Sequence, residues 1–216
     1  MGFISSLLDL LFPPKCVFCG KVLIDRDDSW CSKCVESLPY ALNSGRQEGL
    51  FYDFCISPLY YRGVVRRSIL RYKFKGASGY AAAYGKILAD CIRENTDAKY
   101  DIISWVPLSS KRKRTRGYDQ AMLLALATAL ELEEVAVETL SKQRDAQAQS
   151  ELGGAAERRE NISGAYVAVD PELIADKCVL LIDDIVTTGS TLDECASVLL
   201  TAGATSVICA VLARGE

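Results

Sequence analysis

The 216-residue chain contains no histidine. This absence excludes the Ser-His-Asp and Cys-His mechanisms, every imidazole metal ligand, and the side chain that most often serves as a general base near neutral pH. Any chemistry must therefore depend on carboxylates, thiolates, lysine, tyrosine, hydroxyl groups or the backbone.

The chain also lacks an excess of positive charge and a long apolar run. Its 25 Lys and Arg residues against 28 Asp and Glu give a net charge of −3, which argues against a uniformly basic nucleic-acid binder. The longest largely apolar stretch, Ala121–Leu130, is too short to span a bilayer. Because Met1–Phe12 has no basic region or signal cleavage site, we expect a cytoplasmic protein that meets membranes only through partners.

Cysteine, by contrast, is abundant, with nine residues. Cys16, Cys19, Cys31 and Cys34 form two Cys-x2-Cys pairs separated by eleven residues. In a chain without an export signal, such pairs favour metal binding over disulfides, and four thiolates predict a closed, structural Zn²⁺ site. The other five cysteines are predicted to fill the hydrophobic core as small apolar residues. They are Cys55, Cys91, Cys178, Cys195 and Cys209.

The cysteine pairs indicate a small module ahead of a larger domain. Apolar residues at near-helical spacing from Phe3 to Leu11 predict a helix that Pro13-Pro14 ends. The segment Asn43–Gly49 has the composition of a linker. We therefore divide the chain into an N-terminal helix with a zinc-binding module, residues 1–48, and a second domain, residues 49–216.

From Leu50 onward, predicted strands alternate with predicted helices. This alternation is typical of an α/β fold with a parallel sheet flanked by helices. The predicted strands are 54–61, 101–106, 166–169, 179–182 and 207–212, and the predicted helices are 64–74, 80–93, 118–132 and 192–202.

The strongest chemical signal follows the predicted strand 179–182. Asp183 and Asp184 come next, and then a loop of small and hydroxyl-bearing residues opens a helix. Backbone N–H groups at a helix N-terminus bind phosphate, and Gly189 permits the tight turn. The carboxylates would instead serve sugar hydroxyls or a divalent cation. The alternative is a capped helix after a core strand. The proposed phosphate loop is Thr187, Thr188, Gly189, Ser190 and Thr191.

These residues resemble the phosphoribosyl pyrophosphate (PRPP) signature of type I phosphoribosyltransferases. Further segments resemble the ComF family of bacterial phosphoribosyltransferase-like proteins associated with DNA uptake in natural competence. They are Tyr60–Gly63, Leu70–Gly76, Val106–Leu108, Arg116–Gln120 and Arg158–Asn161. The resemblance implies a type I phosphoribosyltransferase-like fold with an N-terminal four-cysteine zinc module. It also implies binding of PRPP and Mg²⁺, with Asp183 and Asp184 as the catalytic residues that serve the ribose hydroxyls and the metal.

A basic run, Lys111–Arg116, follows the strand that ends near Val106 and is predicted to form a loop. In the family this region corresponds to the pyrophosphate loop, so the resemblance implies that Arg112 and Arg116 hold pyrophosphate. Guanidinium groups suit phosphate oxygens through bidentate contacts. A merely solvated charge run remains the alternative.

Residues 62–75 contain six Lys and Arg and no acidic residue, which adds a second basic segment. Interleaved aromatics, including Tyr72 and Phe74, would suit single-stranded DNA, although they could equally be core residues. The candidate DNA-binding residues are Arg67, Arg71, Lys73, Lys75, Lys111, Lys113 and Arg114.

Three functions therefore remain open at the level of the sequence. The first is Mg²⁺-dependent phosphoribosyl transfer in DNA uptake, with residues 141–161 as a lid or as an ordinary surface loop. The second is a non-catalytic competence adaptor that binds single-stranded DNA under control of PRPP or a nucleotide. The third is purine or pyrimidine salvage, against which the zinc module argues.

Overall fold

The computed structural model describes residues 13–25, 28–143 and 164–215. The predicted N-terminal helix and most of the predicted lid, with Arg158–Asn161, lie outside these residues. In chain order the helices are α1 (Ser32–Ser37), α2 (Gly63–Phe74), α3 (Tyr80–Asn95), α4 (Ser110–Arg116), α5 (Gln120–Glu131), α6 (Pro171–Ile174) and α7 (Ser190–Thr201). The strands are β1 (Phe54–Ile56), β2 (Leu59–Tyr60), β3 (Ile102–Trp105), β4 (Leu140–Lys142), β5 (Tyr166–Ala168), β6 (Cys178–Val186) and β7 (Ser206–Arg214).

A parallel sheet forms the centre of the domain. Its strand order is β1-β7-β6-β3, and β2 continues along β7 beyond β1. All of these pairings are parallel, as the alternation of strands and helices predicts. Strands β4 and β5 form a separate antiparallel pair.

Both faces of the parallel sheet are covered, which explains why its strands are almost continuously apolar. Leu180 and Ile182 of β6 pack on one face with residues of α2, α3 and α5. Their neighbours Val179 and Leu181 pack on the other face with α7 and the β4–β5 pair. The result is a helix–sheet–helix sandwich with a core on each side of the sheet.

Four of the five cysteines assigned to the core are buried, and Cys178 is partly buried. Cys55, Cys195 and Cys209 have no exposed surface, and burial raises the pKa of each of their thiols. These thiols therefore act as small apolar groups, as predicted.

Three of the predictions about helices and strands were wrong. The predicted strand 54–61 is divided into β1 and β2 at Ser57-Pro58. The predicted loop 111–116 is helix α4, whose N-terminus is capped by the Ser109 hydroxyl and which ends at Gly117 with φ +83°. Strand β6 runs to Val186, so the acidic pair lies within the strand instead of after it.

The cysteine module packs on α2 and α3 through Phe18, whose ring lies 6.3 Å from that of Tyr84. Cys16, Phe18 and Leu23 belong to the same buried cluster as the apolar residues of α2. The predicted linker also packs against the domain, since Arg214 donates a hydrogen bond to the Gly45 carbonyl at 2.8 Å. The boundary near residue 48 stays a prediction.

Among the described residues, no helix has both the length and the apolar character needed to cross a membrane.

Candidate functional site

The four paired cysteines come together at one point. Their Sγ atoms all lie within 4.8 Å of one another, and those of Cys19 and Cys31 are 3.8 Å apart. A tetrahedron with Zn–S bonds of about 2.3 Å has S···S edges of about 3.8 Å, so the sulfurs fit zinc. Since all four positions are occupied by protein ligands, a metal here would be structural.

The thiols of this cluster differ in their ionisation. Burial favours the neutral thiol of Cys16, but hydrogen bonds from the backbone of Cys19, Cys31 and Phe18 outweigh it and lower its pKa to about 7. Burial and the neighbouring thiols raise the pKa of Cys34. Because the thiolate is the metal ligand, the lowered pKa favours the ligating form of Cys16.

A second group of polar side chains surrounds a cavity of about 220 Å³ at the carboxyl ends of β3 and β6. This edge is where open α/β sheets bind ligands. Four cations and two carboxylates line it among the described residues. The charged residues are Lys73, Arg112, Arg116, Lys142, Asp183 and Asp184, and Thr191 also reaches the cavity.

Strand β6 delivers the two carboxylates. Its last pairing with β3 joins Trp105 to Ile182, so from Asp183 onward the strand has β7 on one side and the cavity on the other. Side chains alternate along a strand, and the two acids therefore leave the backbone in opposite directions. Both nevertheless line the cavity.

The two acids differ in their electrostatics. Asp184 forms an ion pair with Lys73 at 2.8 Å, with side chains that are 10% and 18% exposed. Burial, followed by the negative charge of Asp184, raises the pKa of Asp183 to about 8. Asp183 thus holds a proton near neutral pH, while its Oδ1 accepts a hydrogen bond from the Asp184 N–H at 2.8 Å.

The two arginines predicted to hold pyrophosphate stand on α4, one turn apart. Arg112 is exposed, and Arg116 donates a hydrogen bond to Gln120 Oε1 at 2.7 Å. Burial lowers the pKa of Arg116, although the Asp184 carboxylate opposes this effect. Guanidinium groups stay charged in proteins, so both arginines offer cationic donors to an anion in the cavity.

The predicted phosphate loop leads from β6 into α7. Gly189 is the N-cap of α7 with φ +81°, and no side chain caps this helix. The Ser190 N–H donates to the Thr188 hydroxyl at 3.5 Å, and the N-terminus of α7 presents its other amides in the direction that suits an anion. Thr191 alone among these residues reaches the charged cavity. Thr188 and Ser190 line a neighbouring cavity of about 690 Å³, and Thr187 is exposed.

Asp119 has a supporting role that the sequence did not reveal. It is buried, its Oδ2 accepts a hydrogen bond from the Leu108 N–H at 2.8 Å, and its Oδ1 accepts one from the Met122 N–H at 3.2 Å. This carboxylate joins the segment after β3 to the start of α5, on either side of the arginine-bearing α4.

Two further cavity residues were not named from the sequence as members of the site. Lys142 of β4 donates a hydrogen bond to the Tyr166 hydroxyl at 2.8 Å, and its Nζ lies 4.5 Å from the centroid of that ring. Lys142 lies in the segment 141–161 that was predicted to be a lid or a surface loop, but the sequence gave neither Lys142 nor Tyr166 an individual role at the site.

The candidate DNA-binding residues do not share one environment. Arg71 is turned to the cysteine module and Lys73 to the charged cavity. Among the aromatics near them, Tyr72 is buried in the core and Phe74 is exposed beneath the Arg116 guanidinium. The remaining candidates are exposed, namely Arg67, Lys75, Lys111, Lys113 and Arg114.

Comparison with protein families identifies two domains in this chain. A phosphoribosyl transferase domain matches residues 119–216, and a double zinc ribbon domain matches residues 7–45. The predicted fold class, a parallel phosphoribosyltransferase-like sheet flanked by helices behind a four-cysteine module, is confirmed.

The chain is 28% identical over 225 residues to competence protein F of Haemophilus influenzae, covering 93% of this chain and 96% of that protein. Among solved structures it is similar to the glutamine PRPP amidotransferase of B. subtilis complexed with ADP and GMP, and to an allosteric regulatory enzyme of purine biosynthesis. Each is 22% identical with a TM-score of 0.43, and the match covers 62% of this chain. It spans only 26% and 25% of those two chains.

Proposed function

We propose that the chain, which resembles the ComF family and carries a phosphoribosyl transferase domain behind a zinc ribbon domain, binds PRPP and Mg²⁺ and transfers the phosphoribosyl group. The observation that supports this proposal is the meeting of Asp183, Asp184, Arg112, Arg116 and Thr191 at one cavity. These residues come from three separate segments of the chain, and each belongs to a part of the predicted PRPP site.

The proposed reaction breaks the bond between the anomeric carbon and pyrophosphate, and a nucleophilic acceptor forms the new bond at that carbon. Pyrophosphate leaves with the electron pair and needs stabilisation of its charge. Arg112 and Arg116 supply that stabilisation as cationic donors. The amides and hydroxyls of residues 187–191 hold the 5′-phosphate. Positioning and charge account for catalysis, so the absence of histidine is no obstacle.

The carboxylates of Asp183 and Asp184 fit the ribose hydroxyls and the oxygen-rich environment that Mg²⁺ prefers. When bound, Mg²⁺ would neutralise phosphate charge. The protein's own part is to orient the ribose through hydrogen bonds that the two side chains accept. Because the pKa of Asp183 is raised to about 8, this residue also donates a hydrogen bond while it is protonated.

Isothermal titration with PRPP and MgCl₂ tests the binding step. We expect saturable binding by the wild type and its loss in the variant D183N/D184N. Glu172→Gln, which changes an exposed acid on α6, is the matched control and should bind as the wild type does. Binding by D183N/D184N that equals wild-type binding would contradict the site assignment. Release of pyrophosphate, measured across bases, amines and DNA as acceptors, then tests turnover.

We further propose that the activity serves natural transformation, which the name of the Haemophilus relative suggests. In a host that depends on this gene for transformation, the wild-type gene should restore DNA uptake and the D183N/D184N gene should not. Full restoration of DNA uptake by the variant, at equal protein level, would show that transformation does not depend on the PRPP site.

A second candidate function is binding of single-stranded DNA without turnover. It is favoured by the exposure of the lysines and arginines on the two basic segments. Each phosphate contact adds about 0.7 to the slope of log affinity against log salt for single strands. Neutralising Arg67, Lys75, Lys111, Lys113 and Arg114 should therefore lower both affinity and salt dependence. An unchanged slope in that variant would contradict direct binding by these residues.

A further inference from the structure

We propose that Arg71 is a positioning residue for the PRPP site, because it ties the last turn of α2 to the first cysteine knuckle and so holds Lys73 at Asp184. PRPP binding would then depend on the folded state of the zinc module. This inference rests on the proposed function and adds a connection between its two domains.

Arg71 makes the contact with the knuckle. Its Nη2 donates hydrogen bonds to the carbonyls of Val17 and Phe18, both at 2.8 Å. These carbonyls belong to the two residues between Cys16 and Cys19, so their direction depends on how the thiolates are arranged around the metal. The Arg71 Nε also donates to the Tyr80 hydroxyl at 3.3 Å, which fixes the guanidinium plane.

Lys73 leaves the same helical turn on the other side. Two residues along a helix correspond to a rotation of about 200°. The knuckle therefore lies on one side of this turn and the carboxylate of Asp184 on the other, 2.8 Å from Lys73 Nζ. The cysteine module and the charged cavity therefore contact the same turn of α2.

Tyr72, between these two residues, makes the turn rigid. It is fully buried, its hydroxyl donates to the Gln120 carbonyl at 2.8 Å, and its ring meets that of Tyr84 edge-on at 5.3 Å. The Tyr118 hydroxyl donates to the Tyr72 carbonyl. A shift of the turn at the knuckle is thus passed to Lys73 instead of being absorbed by a flexible helix end.

Lys73 matters to an anion because it supplies one of the four cations of the cavity and partly neutralises Asp184. When its Nζ is displaced, the mostly buried Asp184 carboxylate loses its ion-pair partner and repels phosphate more strongly. Loss of the knuckle contact should consequently weaken PRPP binding even though no residue of the knuckle touches the cavity.

A double-mutant cycle tests this connection. We expect Arg71→Met and Lys73→Gln each to weaken PRPP binding about tenfold, as expected for a lost charged contact, with bound zinc unchanged. The double variant R71M/K73Q should bind no more weakly than K73Q alone, since Arg71 acts through Lys73. Arg71→Lys, which keeps the charge but loses the fork of donors, should be intermediate. Arg66→Met, an exposed change on α2, is the control. Independent, multiplying effects of the two substitutions would overturn the proposal.

Acetylation of lysines in the ligand-free protein, followed by mass spectrometry, separates failure of this inference from failure of the proposed function. In the wild type Lys73 should react more slowly than the exposed Lys75, and R71M should bring the two rates closer together. An unchanged ratio in folded R71M would overturn the positioning role. A changed ratio in a protein that does not bind PRPP would uphold it and refute the proposed ligand.

Discussion

Replacing Gly189 by alanine should damage the phosphate loop through two separable effects. The residue has φ +81°, a left-handed conformation that an L side chain rarely adopts. A Cβ built there would lie 2.8 Å from the Tyr52 hydroxyl, closer than real Cβ contacts allow. The backbone and the neighbour therefore both oppose the new methyl group.

The two effects have different magnitudes. Left-handed backbone costs an L residue about 1–2 kcal/mol, and forcing a group into occupied space typically costs a further ~1–3 kcal/mol. Gly76 is the matched control, because its φ is +69° but no atom lies within 4 Å of its Cβ position. Gly76→Ala should lose only the backbone contribution. Gly189→Ala should lose about 1–3 kcal/mol more in free energy of unfolding.

Urea unfolding of the two alanine variants measures this difference directly, and titration with PRPP reports on the loop itself. Removing the obstructing hydroxyl with Tyr52→Phe in the Gly189→Ala background should recover most of the steric part, apart from the hydrogen bond that Gln47 donates to that hydroxyl at 3.1 Å. If Gly189→Ala unfolds as easily as Gly76→Ala, or if Tyr52→Phe gives no relief, the steric argument is refuted.

Three further predictions concern the acids and the cysteine module. Burial raises the pKa of Asp183 to about 8 from an ordinary value of 3.8, so between these pH values the folded protein holds a proton that the unfolded chain releases. The contribution of Asp183 to the free energy of unfolding is therefore complete below about pH 4 and is lost as the pH rises through 8. The urea midpoint should therefore fall between pH 5 and pH 8.5 less in D183N than in the wild type, and an equal fall would contradict the assignment. Cys34→Ser should release zinc and expose residues 13–45 to proteolysis, because metal binding supplies much of the folding energy of small zinc modules. A variant that resists the protease as well as the wild type does would contradict this prediction. Asp119→Ala should cost about 1–2 kcal/mol of stability by urea unfolding through the lost cap. Asp119→Asn, which keeps one acceptor, should cost less than the alanine variant. An alanine variant as stable as the wild type would contradict the role of this cap.

The order of strands and helices could be predicted because both faces of the sheet are covered, which makes its strands short apolar runs that differ from the helices around them. Runs such as Val179–Ile182 are apolar throughout, and Pro107 and the Gly189 turn mark strand ends. The end of β6 was misplaced because aspartate is disfavoured in strands, whereas pairing of Asp183 with Val211 and of Ile185 with Ala213 in β7 continues it. A long-range contact of this kind leaves no trace in the local pattern.

The helical state of residues 110–116 was predictable from signals that the charge run concealed. Ser109 is a good N-cap and Gly117 a good C-terminal residue. Arginine and lysine between them favour helix. The loop prediction was based on the charge of the run and did not consider its capping residues. It nevertheless placed Arg112 and Arg116 at the correct edge of the sheet.

The members of the acidic pair and the two arginines were named from sequence, whereas the roles of Lys73 and Lys142 were not. Residues 62–75 contain six similar basic side chains, and the direction of each depends on the packing of α2, which the buried Val65, Ile69 and Tyr72 decide. The one lysine that turns inward was therefore grouped with candidates for DNA binding. Lys142 depends on the pairing of two short strands that have no strong pattern.

The charges of the cavity connect these residues to the missing histidine. Four cations face two carboxylates, and the raised pKa of Asp183 leaves one of these carboxylates neutral near pH 7. In a protein of net charge −3, this local positive excess favours binding of an anion with several charges. A group that departs as pyrophosphate supplies such charges and needs no proton from a side chain with a pKa near neutrality. These charges support the phosphoribosyl transfer proposed above, because the site offers cations to a departing pyrophosphate.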